Sequence, residues 1–168
     1  QHIIVDSVRG TGGSPTQMIG LTSQGTGAEV NSNTNGWIES IDSDGFTVTS
    51  GNDSSSKSNN AGANGRTYVD WCLKAETAFS NDASATGVGT LDSAGRINTT
   101  AGLAIITTTG TGSAATIAHG LGAAPAMIMS KRRDSGSSNW RIFNKNLSIS
   151  FIIFCTLLGS QSKYINIR

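Results

Sequence analysis

Histidine, cysteine, proline and charge are all scarce in this chain. Two histidines, His2 and His119, cannot build a multi-histidine zinc site within one chain. Two cysteines, Cys72 and Cys155, lack metal-ligand spacing. Their separation permits a disulfide, but two buried thiols are the plainer expectation. Two prolines beside 21 glycines fit no collagen period, and a charged fraction of 14% fits no highly charged disordered chain. No cationic segment followed by a long apolar one marks a signal peptide at Gln1. The longest apolar run, ISFIIFCTLL at Ile149–Leu158, is too short for an ordinary membrane span and reads as a buried final strand.

What is present is glycine, serine, threonine and asparagine, broken by short apolar runs over 168 residues. Apolar content is 36%, so many residues are expected in loops or on a polar-faced sheet. That composition suits an extracellular or virion β protein. The net charge is +1, unevenly placed. Residues 1–130 hold five Lys/Arg and ten Asp/Glu, and residues 131–168 hold seven and one. The basic end fits an acidic partner or a solvated rim. It lacks interleaved aromatic platforms, so no nucleic-acid partner is expected.

Short apolar runs bounded by turn residues predict strands. The strongest are Leu103–Thr109, Ala126–Ser130 and Trp140–Phe143. Met127 and Met129 alternate with Ile128, which predicts packing on both faces of a sandwich sheet. Earlier, His2–Val5 and Met18–Leu21 read as short strands. WIESIDSDGFTVTSGND reads as a hairpin turning at Asp44-Gly45. Thr67–Leu73, TYVDWCL, reads as an internal or semi-internal strand, with Val69 and Trp71 on the face opposite Tyr68 and Asp70. Ala75–Thr100 is small and polar and reads as a connection without a long helix. Ala115, Ile117 and His119 predict one more short strand.

Chemistry-bearing motifs are weak. RGTGGS at Arg9–Ser14 lacks the glycine–lysine spacing of a phosphate loop. Asp42 and Asp44 lack the ordered ligand pattern of a calcium loop, so Asp44 is expected to cap its turn. His119, in HGLG, is expected to stabilise a turn. No activated nucleophile or carboxylate pair is evident, and no catalytic residue, metal or cofactor is assigned. The candidate ligand-binding residues are Lys131, Arg132, Arg133 and Trp140, a basic run followed by an aromatic. Asp134 is expected to pair within that run.

The stretch GLAIITTTGTGSAATIAHGLGAAPAMIMSKRRDSGSSNWRIF combines a Thr109–Gly112 turn, His119-Gly120-Leu121-Gly122, Pro125, the Met127–Met129 strand and Lys131–Arg133 ahead of Trp140. It resembles a repeated β module of tailed-bacteriophage fibre and appendage proteins. DSVRG, DSDGFTV and TYVDWCLKA resemble the later part of such a module. The resemblance implies an all-β, lectin-like β-sandwich or an incomplete tandem β module. The order is that of one module's end (1–100) followed by the next one's start and a variant tail (101–168). It implies a noncatalytic structural role in a virion fibre or appendage, in a homo-oligomer, with recognition of a bacterial surface glycan as a further expectation. The different-class alternatives are a secreted adhesion or carbohydrate-binding module and a filament subunit. Two readings of the tail stay open: an incomplete repeat, or a module closed by another chain.

Overall fold

A computed structural model describes residues 2–13, 17–31, 36–49 and 67–146. The fold is all-β, as the short apolar runs and frequent turns predict. The strands are β1 (Ile3–Val5), β2 (Thr11–Gly12), β3 (Gln17–Met18), β4 (Gly20–Thr22), β5 (Trp37–Asp42), β6 (Gly45–Thr49), β7 (Thr77–Asn81), β8 (Ser93–Asn98), β9 (Leu103–Thr108), β10 (Met127–Ser130) and β11 (Arg141–Asn144). A single helical turn, α1 (Ala83–Thr86), sits between β7 and β8. Among the described residues every strand pairing is antiparallel: β1 with β4, β2 with β3, β5 with β6, β10 with β11, and β7-β8-β9 in order. Among the described residues no sheet exceeds three strands.

The large apolar residues of the described core lie in the first third of the chain, with Ala75 and Ala118 buried further on. Trp37 is 1% exposed, and Met18, Leu21 and Ile38 are buried as well. Its indole N–H donates to the Met18 carbonyl, so the one polar atom of the ring is satisfied. Gly20 makes room for it: a Cβ there would stand 2.9 Å from Trp37 Cζ2 and 3.1 Å from side-chain carbons of Ile3 and Val5. Burying the large apolar side chains of this cluster contributes about 1.5–3 kcal/mol each. Gln17 is buried beside them. Its amide N–H donates to Thr49 Oγ1 at 3.4 Å, and its carbonyl oxygen has no partner among the described residues.

The β5–β6 hairpin follows the predicted turn, with Asp42 opposite Gly45. Its register shifts between Ile38 and Ser40, and the extra residue, Glu39, faces solvent. The side chain that ties this turn is Asp42 rather than the expected Asp44. Asp42 accepts from the hydroxyls of Ser40 (2.8 Å) and Thr47 (2.9 Å). A carboxylate at the strand end lies beside both hydroxyls, whereas Asp44 occupies the tip.

Three other expectations are corrected. Residues 75–100 are not a plain connection, because they contain β7, α1 and β8. Their large apolar residues are few, so no hydrophobic period announces them. The backbone ladder holds them instead, and Gly95 lets β8 approach β9 so closely that a Cβ would collide with the Ile105 carbonyl oxygen. Residues 115–119 form no strand; Ile117 makes one isolated parallel bridge to Leu91. Residues 67–73 form no internal strand: they lie exposed and take no place in a sheet. Thr100 and Ala101 lie in the turn joining β8 to β9. The expected final strand at 149–158 and the polar loop at 51–65 lie outside the described residues.

Candidate functional site

Three of the four residues selected from the sequence, Lys131, Arg133 and Trp140, meet one seam, where residues 131–140 lie against residues 22–29. Lys131 follows β10 directly, and its ammonium donates to the carbonyls of Thr26 (3.0 Å), Gly27 (2.9 Å) and Arg132 (3.2 Å). All three ammonium donors thus have partners. Partial burial holds its pKa below the ordinary lysine value. Arg133 forks onto Glu29, Nε to Oε2 at 2.8 Å and Nη2 to Oε1 at 3.0 Å, while the Glu29 amide donates to the Arg133 carbonyl. The hydrogen bonds to Glu29 raise the guanidinium's pKa, so the charge is secure at any ordinary pH. Trp140 Nε1 donates to the Thr22 carbonyl at 3.0 Å, and the Ser138 amide to that of Thr26.

The seam therefore spends most of its polar groups internally. Arg132 differs. It is exposed and pairs with Asp134 at 2.6 Å, the local pairing expected of that acid. Hydrogen bonding to Arg132 holds the Asp134 carboxyl below its usual value. A fully exposed pair of this kind is readily exchanged for another anion. Of the four residues, Arg132 alone presents a charge not tied to the fold.

Two shallow depressions flank the three-stranded sheet. The larger, about 470 Å³, lies between Phe79, Val88, Ile117 and His119. His119 Nδ1 accepts from the Leu121 amide at 3.1 Å, with Gly120 and Gly122 at positive φ, which is the turn role its HGLG context predicts. Asn81 lines the same hollow, but its amide donates to the Val88 carbonyl and accepts from the Thr86 hydroxyl. The smaller depression, about 330 Å³, includes Phe79, Arg96 and Thr107. Neither pairs a nucleophile with a base. Among the described residues no group of three or more His, Cys, Asp and Glu gathers to hold a metal. Among them, too, no helix is long and apolar enough to cross a membrane.

The more telling surface is apolar, and the sequence does not disclose it. Val69, Trp71 and Leu73 are 75%, 87% and 74% exposed. Cys72 beside them is a free, exposed thiol, not the buried one expected. All four residues of β10 are exposed, so Met127, Ile128 and Met129 are not packed on both faces as their alternation predicts. Phe143 on β11 is exposed as well. Period-two alternation identifies segments able to pair; it carries no information on whether a partner lies in the same chain.

Comparison with known proteins gives a family and no function. No curated protein and no solved structure matches the chain. A family model described as a domain of unknown function, DUF7483, matches residues 1–163. With the match running over nearly the whole sequence, the protein belongs to the DUF7483 family.

Proposed function

We propose that this chain is a noncatalytic structural module of a virion fibre or appendage that works as part of a homo-oligomer. The observation that carries the reading is the apolar surface at residues 69–73 and on the β10–β11 hairpin. Several large apolar side chains are exposed here together, and clustered apolar exposure marks sites of association. The small sheets, whose edges are open among the described residues, fit the same role, because an unpaired strand edge is a template for another chain. The resemblance of residues 102–143 to phage fibre modules supplies the setting. In the larger depression the Asn81 amide and His119 Nδ1 are engaged in structural hydrogen bonds, which supports a noncatalytic role. Arg132 and the seam around it are the place for contact with a bacterial surface glycan.

Mass spectrometry of purified virions that encode the chain, with immunogold electron microscopy of the same particles, tests the reading. Label on a tail fibre or other appendage is the expected result. Absence from particles, with the chain recovered from culture medium, would replace the reading with a secreted adhesion module. Binding of the assembled protein to host cells, lost in Arg132→Ala, tests the recognition role separately.

A further inference from the structure

Two apolar features without a partner among the described residues have complementary patterns. The first is the exposed arm at residues 67–73. It leads into β7, the edge strand of the three-stranded sheet, and Asn98 Nδ2 and Arg96 Nη1 pin its base by donating to the carbonyls of Lys74 and Glu76. Beyond that base, residues 67–73 make no hydrogen bond to any described residue. In an extended chain successive side chains alternate. Paired as a strand, the arm would put Val69, Trp71 and Leu73 on one face and Tyr68, Asp70 and Cys72 on the other.

The second feature is the β10–β11 hairpin. Its register pairs Met127 with Asn144, Ile128 with Phe143, Met129 with Ile142 and Ser130 with Arg141. One face thus carries Met127, Met129 and Ile142, and the other carries Ile128, Phe143 and Arg141. Among the described residues β11 pairs with β10 alone, so its outer edge is open, and Arg141 has no acid partner. Asp70 has no basic partner among them either.

We infer that the arm of one copy adds as a third strand to the outer edge of β11 of a second copy. The inference rests on the reading of the chain as an oligomeric structural module and names the contact that builds it. The match is two-sided. A strand added with Val69, Trp71 and Leu73 on the methionine face puts Asp70 on the face of Arg141 and Tyr68 on that of Ile128 and Phe143. A slip by one residue would turn the apolar stripe towards Arg141 and lose the charge match, so the pattern selects one facing. Backbone hydrogen bonds would supply affinity and the alternating side chains specificity, as in other strand-addition contacts. Arm and hairpin are different surfaces, so the contact is heterologous and propagates: each copy receives one arm and offers another. Such contacts make rings or open filaments.

The full chain is the material for the test, with sedimentation velocity reading its association. Wild type is expected to self-associate in a concentration-dependent way. Trp71→Ser, at a site 87% exposed, should keep the wild-type circular dichroism and melting temperature yet weaken association by about tenfold or more, the usual effect of removing a central aromatic anchor. Val88→Ser, also exposed but outside both features, should associate like wild type. Asp70→Arg and Arg141→Asp should each weaken association alone, and mixing the two variants should restore it, because every arm then meets a hairpin of opposite charge. Association that survives Trp71→Ser, or charge variants that mixing fails to rescue, would overturn the arm contact while leaving the oligomeric module standing. A wild type that stays monomeric to millimolar concentration would overturn both.

Discussion

The Arg133 guanidinium and the Glu29 carboxylate meet in a two-point fork across 104 positions of sequence. With its flanking backbone bonds it joins the basic run to the first third of the chain. Both side chains are partly exposed, which limits the pair's strength. A double-mutant cycle with Glu29→Gln and Arg133→Gln, read by urea unfolding, should give a coupling of about 1 kcal/mol. Raising salt should reduce that value less than it would for a fully exposed pair.

Gln17 offers a gain in stability. Its carbonyl oxygen is buried without a described partner, and its one side-chain hydrogen bond is long at 3.4 Å. Gln17→Met keeps the volume and removes the unsatisfied acceptor. It should raise the unfolding free energy by about 1 kcal/mol, seen as a higher urea midpoint at unchanged slope.

Gly95 should tolerate no side chain. A Cβ there meets the backbone of β9 rather than a flexible side chain, so relief requires the two strands to part. Gly95→Ala should destabilise by about 1–3 kcal/mol. Gly110→Ala, where a Cβ meets open space, is the control and should change the melting temperature little.

Asp82 caps α1, accepting from the amides of Ser84 (3.0 Å) and Ala85 (3.1 Å) and from the Ser84 hydroxyl (2.7 Å). The Ser84 hydroxyl, then the Ala85 amide, hold its carboxyl below the ordinary value of 3.8. A depressed folded pKa means that the unfolded chain binds the proton more readily. The stabilisation is therefore complete above the unfolded value and is lost as pH falls through the folded one. Asp82→Asn keeps a capping oxygen without titrating. Subtracting its melting curve against pH from that of wild type should leave a small positive slope below about pH 4, and a flat difference would remove the assignment.

Local signals carried over from sequence to structure, and non-local ones did not. Asp44-Gly45 placed a hairpin because a turn needs only its own residues, and Leu103–Thr108 paired where its apolar run stands. HGLG gave His119 its turn for the same reason. Residues 67–73 carry as clear an alternation, but their exposure depends on whether any strand in the chain comes to meet them. β7 and β8 stayed illegible because Gly95 and the alanines around it give a ladder no hydrophobic period. At the seam, the sequence announces the charges of Lys131 and Arg133. It is silent on the carbonyls of Thr26 and Gly27 and the acid at Glu29 that engage them.

Gly95 has a consequence for how this sheet can change over generations. Its close approach to β9 makes one backbone position strict and leaves most of its neighbours free. Ala78, Ser80 and Ala94 sit in strands held by the ladder, and none of them belongs to the buried core. Substitutions there can alter the outward texture of β7 and β8 while Gly95 keeps the strands in place. A library randomised at those three positions should retain folding in most members, whereas one randomised at Gly95 should return glycine.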